Sequence, residues 1–172
     1  MVRRFLIFAV LIALSQFIVA QSEDSKARPN KEEITAQMLQ INRLPKEQQG
    51  SRLEQIMQGQ ASSKTPRSDF MFCTGLAHLG NCRAQICVGK AYENELGIVE
   101  DLSEAYTWYA VAADNKLTGE ADANKAEANR ERIMLRLMSA YPHPTEDELA
   151  DLVALQKSRI AQYQEQIKKA ER

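Results

Sequence analysis

The chain has little of what usually marks a catalytic or metal centre. Its 172 residues include two histidines, three cysteines and one tryptophan. Gly-x-Ser-x-Gly, His-Glu-x-x-His, phosphate-loop and Cys-x-x-Cys patterns are all missing. Their absence removes the usual signatures of a serine hydrolase, a zinc protease, a nucleotide-binding loop and a thiol oxidoreductase. Neither sign of charge dominates: 22 basic residues face 23 acidic ones. Such a balance offers no electrostatic footprint for nucleic acid and no cationic surface for anionic lipid. Glycine (seven) and proline (five) are scarce, while Ala, Glu, Gln, Lys and Leu are common, which is the composition of helices. No cofactor is expected.

One apolar run stands out, at the N-terminus: "MVRRFLIFAVLIALSQFIVA". Arg3 and Arg4 precede an uncharged stretch from Phe5 to Leu14, and Ala20 supplies a small residue before polar "QSED". That order predicts a secretory signal peptide over residues 1–20, too short for a comfortable membrane span. The competing expectation is an uncleaved anchor. Cleavage after Ala20 leaves 152 residues with 20 basic and 23 acidic groups, a net charge of −3 and no further membrane contact. A periplasmic or secreted location follows as the expectation.

Beyond it, residues 21–30 read as a disordered lead. Residues 31–60 form a helical segment with Ile34, Met38, Ile41 and Leu44 at helical spacing, interrupted by Pro45 and resumed by Leu53, Ile56 and Met57. Whether this segment packs on the rest stays open. "GQASSKTPRS" is rich in turn formers, and residues 61–68 are assigned as a linker. From residue 69 the pattern tightens. Asp69 is a candidate cap for a short helix ending near Gly80, and a second helix spans about Arg83 to Asn94. Gly97 suits the left-handed conformation of a helix end. Asp101, with Glu104 three residues on, is placed to cap the next helix as a capping box. Residues 117–172 form capping helices, one over 119–139 with Ala123, Ala126, Arg130, Ile133, Met134, Leu137 and Met138 along one side. The other starts at Thr145 with Glu148 in capping-box spacing, and buries Leu149, Leu152, Val153, Ile160, Tyr163 and Ile167.

A shift of 36 residues carries Trp108 onto Phe72, Ala112-Ala113 onto Leu76-Ala77 and Lys116 onto Gly80. One offset joining aromatic, small and turn positions indicates a repeat of helical hairpins. Ala84, Val88-Gly89, Tyr92, Gly97-Ile98, Asp101, Ala105, Trp108-Tyr109 and Ala112-Ala113 follow in the order and spacing of a known pattern. In this the chain resembles the Sel-one-like repeats, relatives of the tetratricopeptide repeat. Two positions depart from that pattern: Glu95 replaces the first of its paired glycines and Lys116 its closing glycine. The resemblance implies an all-α short solenoid over residues 69–116, with flanking helices on both sides. It gives Gly89, Tyr92, Gly97, Asp101, Ala105, Trp108, Tyr109, Ala112 and Ala113 packing roles rather than catalytic ones. It also implies a non-enzymatic adaptor or regulator that binds envelope proteins or peptides in a bacterium.

The remaining candidates are few. Cys73, His78, Cys82 and Cys87 do not have the spacing of a usual zinc knuckle. His143 sits between two prolines in a loop. Glu93, Glu95, Glu100, Asp101, Glu146, Asp147, Glu148 and Asp151 fall on polar faces and caps rather than as a pair across a cleft. The alternatives are therefore an accessory factor or weak hydrolase acting on cell-wall material, and a small Cys/His metal-binding protein. Three cysteines allow three single pairings. Cys73 lies seven residues before Gly80 and Cys87 seven after it, so an antiparallel hairpin sets them opposite one another. A Cys73–Cys87 disulfide is the expectation, with Cys73–Cys82 next. Tyr106 falls outside the repeat pattern and is the candidate for partner contact.

Overall fold

The computed structural model describes residues 26–60, 65–115, 119–140 and 142–170. The signal segment 1–20, the first part of the lead, linker residues 61–64 and Lys116 lie outside the described residues. Within them the chain is all-α, with no strand. Helices α1 (Lys31–Asn42), α2 (Lys46–Met57), α3 (Pro66–His78), α4 (Cys82–Glu93), α5 (Leu102–Ala113), α6 (Glu120–Ser139) and α7 (Glu146–Ala170) follow in chain order. From α3 to α6 each helix packs on the next, as in a solenoid. Helix α1 packs on α3, and α7 runs back to touch α5, α3 and α1. The segment 31–60 therefore belongs to the body of the fold.

Local chemistry sets the helix boundaries. Asn30 and Glu33 form a reciprocal capping box at α1, and Thr145 and Glu148 form another at α7. Asn81 caps α4 through the Ala84 N–H. Gln49 is 5% exposed, and its amide donates to the carbonyls of Ile41 (3.0 Å) and Leu44 (2.9 Å). These carbonyls lie at the end of α1 and just beyond it, so one buried side chain closes the α1–α2 turn.

Four sequence expectations are corrected at this level. Thr65 caps α3 with Pro66 at its first position, so the linker ends earlier and the helix starts before residue 69. Asp69 is instead a buried first-turn residue, 7% exposed. At α5 Asp101 accepts from the Glu104 N–H, but the Glu104 carboxylate turns to Arg28 rather than back to the cap. Finally, residues 26–30 of the supposed disordered lead lie against the fold: Lys26 pairs with Glu95, and Arg28 with both Asp101 and Glu104.

The core is one large cluster running through α1 to α7, with Phe70, Phe72, Ile86, Val88, Trp108, Tyr109, Ile133 and Leu149 among its members. A smaller cluster joins Ile34 and Met38 of α1 to Ile167 of α7. Small residues set the helix approach. A Cβ on Gly89 would lie 2.7 Å from Tyr109 Cε1, so the α4–α5 contact requires glycine there. Gly97 has φ +79°, and a side chain on it would strike the Pro66 carbonyl, which locks the α4–α5 loop against the start of α3.

Candidate binding site

Most of the expected packing residues are buried, while Asp101 caps α5 with a side chain 28% exposed. Ala105, Tyr109 and Ala112 are fully buried, Trp108 is 3% exposed and Tyr92 6%, and Ala113 is half-buried against the same cluster. Trp108 meets the His78 ring edge-on at 5.2 Å between centroids. The Tyr109 hydroxyl donates to Glu93 Oε2 at 2.9 Å, and Arg132 of α6 donates to the same carboxylate. The Arg132 hydrogen bond holds the Glu93 carboxyl below the usual carboxylate range, and the Tyr109 hydroxyl adds to it. Glu93 thereby ties α4, α5 and α6 at one point. Cys73 and Cys87 lie at disulfide distance, with Cα atoms 6.0 Å apart, as the hairpin geometry predicts. Cys82 is buried, and its thiol points at the Ala112 carbonyl at 3.5 Å.

Tyr106 is half-buried and packs on the core edge, with only part of its ring available to a partner. His78 is 3% exposed. Its Nδ1–H donates to the Thr74 carbonyl at 2.8 Å, and its Nε2 accepts from Gln156 of α7 at 3.4 Å. Burial pushes its pKa down to about 4, so the ring is neutral at ordinary pH. Among the described residues no group of three or more His, Cys, Asp or Glu side chains is placed to hold a metal ion. No helix among them is long and apolar enough to cross a membrane.

Beside a shallow, open depression at the start of α7, lined by Pro142, His143, Pro144, Glu148, Asp151, Leu152 and Leu155, two concavities lie between helices. The first is an open groove of about 380 Å³ between α2, α3 and α4. Ile56, Met57, Phe70, Ala91 and Leu96 make its apolar walls, Cys87 reaches it from the hairpin, and Asp69 and Lys90 supply charge. Burial lowers the Lys90 pKa. Leu96 is 53% exposed, and nearby in the same loop Val99 is 57% exposed. The second is a polar pocket of about 280 Å³ enclosed by Arg28, α1, α3, α4, α5 and α7. Sequence reasoning reached neither. Both depend on which helices meet, and α7 and the lead come from opposite ends of the described chain.

No protein-family model matches the chain, and no curated protein and no solved structure matches it either.

Proposed function

We propose that this protein is a non-enzymatic adaptor or regulator, a short Sel-one-like solenoid exported to the bacterial envelope, where it binds one or more proteins or peptides. The observation that carries this reading is the α2–α3–α4 groove. Its walls are apolar and continuous with an exposed Leu96, and the hairpin beneath it has Cys73 and Cys87 at disulfide distance. A rigid apolar groove with a charge at its edge suits a short amphipathic segment whose apolar side chains enter it. Lys90 adds a preference for a carboxylate on that segment. An oxidised Cys73–Cys87 bridge fits the export expected from the N-terminal run.

Site-specific photo-crosslinking from Leu96 in cells, followed by mass spectrometry, tests the reading. One protein or peptide should be captured from Leu96, and Met57→Asp should abolish the capture, with far-UV circular dichroism verifying that the variant is folded, since Met57 is partly buried against the core. Equal capture by the Met57→Asp variant would sink the groove as the binding surface. Turnover of a cell-wall substrate in the absence of any specific partner would sink the adaptor role. N-terminal sequencing should find Gln21 or a close neighbour at the start of the exported protein.

A further inference from the structure

Among the described residues, the Cys73–Cys87 pair is open to solvent on the Cys87 side alone. Along α4 the apolar groove is lined by Cys87, Lys90, Ala91 and Asn94, which are positions i, i+3, i+4 and i+7 of one helix face. Along α3 it is lined by Pro66, Asp69 and Phe70, and Cys73 is the next position of that face. The two helices pack as an antiparallel hairpin, so the two faces converge on the cysteine pair, whose Cα atoms are 6.0 Å apart. The pair closes the groove at the end nearer the Gly80 turn. Its two members are not equivalent there. Cys73 is fully buried and lines no part of the groove, whereas Cys87 lines it and is 8% exposed.

That asymmetry decides how the bridge is opened. Thiol–disulfide exchange needs a thiolate to reach one sulfur while the other leaves, and access selects which sulfur is attacked. Cys73 offers no surface for the approach. The remaining cysteine, Cys82, is buried with its thiol directed at the Ala112 carbonyl of α5, so the attacking group comes from outside the chain. The groove is its route, and a volume of about 380 Å³ with Ile56, Met57 and Leu96 in its walls admits a small organic thiol.

We propose that Cys87 is a site of mixed-disulfide formation with a low-molecular-weight thiol that enters through the α2–α3–α4 groove. The thiolate sulfur of the incoming molecule bonds to Cys87 Sγ as the Cys73–Cys87 bond breaks. The electron pair of that bond leaves on Cys73 Sγ, which then takes a proton from water. One disulfide is lost and one is formed, so no further oxidant or reductant enters the step. The product alters the groove twice: α3 and α4 lose their covalent tie, and the remainder of the thiol fills the closed end. The surrounding thiol–disulfide balance is thereby read out as an open or an occupied groove. The assignment uses only the groove and the cysteine pair, so it stands or falls apart from the adaptor reading.

Brief treatment of the oxidised, folded chain with 2-mercaptoethanol, followed by acid quenching and peptide mapping, tests it. The first adduct should lie on Cys87, with Cys73 as the thiol, in about tenfold excess over the reverse arrangement. Single variants give a second measurement that does not depend on trapping an intermediate. In Cys73→Ser the Cys87 thiol should react with a small methanethiosulfonate about tenfold faster than the Cys73 thiol does in Cys87→Ser, with circular dichroism verifying that both variants are folded. A first adduct on Cys73 or Cys82, equal rates in the two variants, or no adduct until the chain is unfolded in urea would overturn the assignment.

Discussion

Helices α4 and α6 are neighbours of α5 on either side, yet they are built differently. Of its twelve residues α4 buries nine, among them Cys82, Ala84, Gly89 and Ala91. Helix α6 buries three of twenty: Ala126, Ile133 and Leu137. The inner helix is covered by α3 and α5 and further by α2 and α6, so small residues on several faces let its neighbours close in. The outer helix presses one stripe onto α5 and leaves Leu135 74% exposed. What α6 lacks in burial it makes up with charge. Arg132 and Arg136 reach back to Glu93, and Arg136 also reaches Glu100. Stability in a stacked array is shared unevenly, and an end helix with a polar outer face is what lets the array stop.

The comparison predicts unequal responses to mutation, the largest at Trp108. That ring is 3% exposed and abuts His78. Trp108→Ala should cost about 3–5 kcal/mol, the range for large buried aromatics. Urea unfolding measures it, and a variant with unchanged midpoint would mean that the interior is not organised around this ring. The matched control is Leu135→Ala on α6, for which a change within about 0.5 kcal/mol is expected.

Next comes the histidine at the same contact. The His78 pKa is depressed from 6.5 to about 4 in the folded protein, while the unfolded chain keeps the ordinary value. The unfolded state therefore binds the extra proton first as pH falls. The contribution of the neutral ring is complete above about pH 6.5 and is lost progressively down to about pH 4, some 3 kcal/mol in all. Chemical denaturation of wild type and His78→Phe across this window isolates the effect. The wild-type curve should fall more steeply, and parallel curves would show that His78 is not buried neutral. Arg159 opposes the charged form and Thr74 favours it, so Arg159→Gln should shallow the slope slightly.

How much of this was readable beforehand depended on the distance between partners. The burial of Gly89, Tyr92, Trp108 and Tyr109 was legible because they lie within one hairpin, where spacing along the chain fixes spacing in the structure. The opposed cysteines followed from the same hairpin. Gln156 was missed although it sits in register, seven residues after Leu149 and four before Ile160. A stripe traced by apolar side chains passes over an amide that is buried because His78 accepts from it. Thr65-Pro66 had the signature of a helix start, but it lay inside a segment whose composition signalled a linker. The contacts of Arg28, 73 and 76 residues away from Asp101 and Glu104, leave no local trace. That wall of the polar pocket required the folded chain.

Reduction should produce an effect close to that of the histidine and confined to the inner helices. Cys73 and Cys87 are 14 residues apart, and a bridge closing such a loop stabilises by about 3 kcal/mol in the chain-entropy model. A Cys73→Ser/Cys87→Ser double variant should lower the unfolding free energy by up to this amount. Hydrogen exchange should rise in α3 and α4 ahead of α6. Non-reducing peptide mapping of the wild type must recover the Cys73–Cys87 peptide pair; recovery of a Cys82-containing pair would reject this bridge.

The smallest expected effect lies at the joint between the two kinds of helix. Glu93 has an 8% exposed side chain, while its partners Arg132 and Arg136 are nearly half exposed. Screening limits what such a pair contributes, so Glu93→Gln should cost only about 1 kcal/mol. The amide oxygen can still accept from Tyr109, so the loss falls on the arginines and hence on α6. Its carboxyl pKa is lowered from 4.5, so the contribution is present above about that pH and fades as pH falls below it. A double-mutant cycle with Arg132→Gln measures the coupling, and hydrogen exchange locates it. Faster exchange should be confined to α6, with α4 unchanged. Equal acceleration in both helices would show that Glu93 supports the hairpin itself, and would erase the distinction between a core held by burial and an end held by charge.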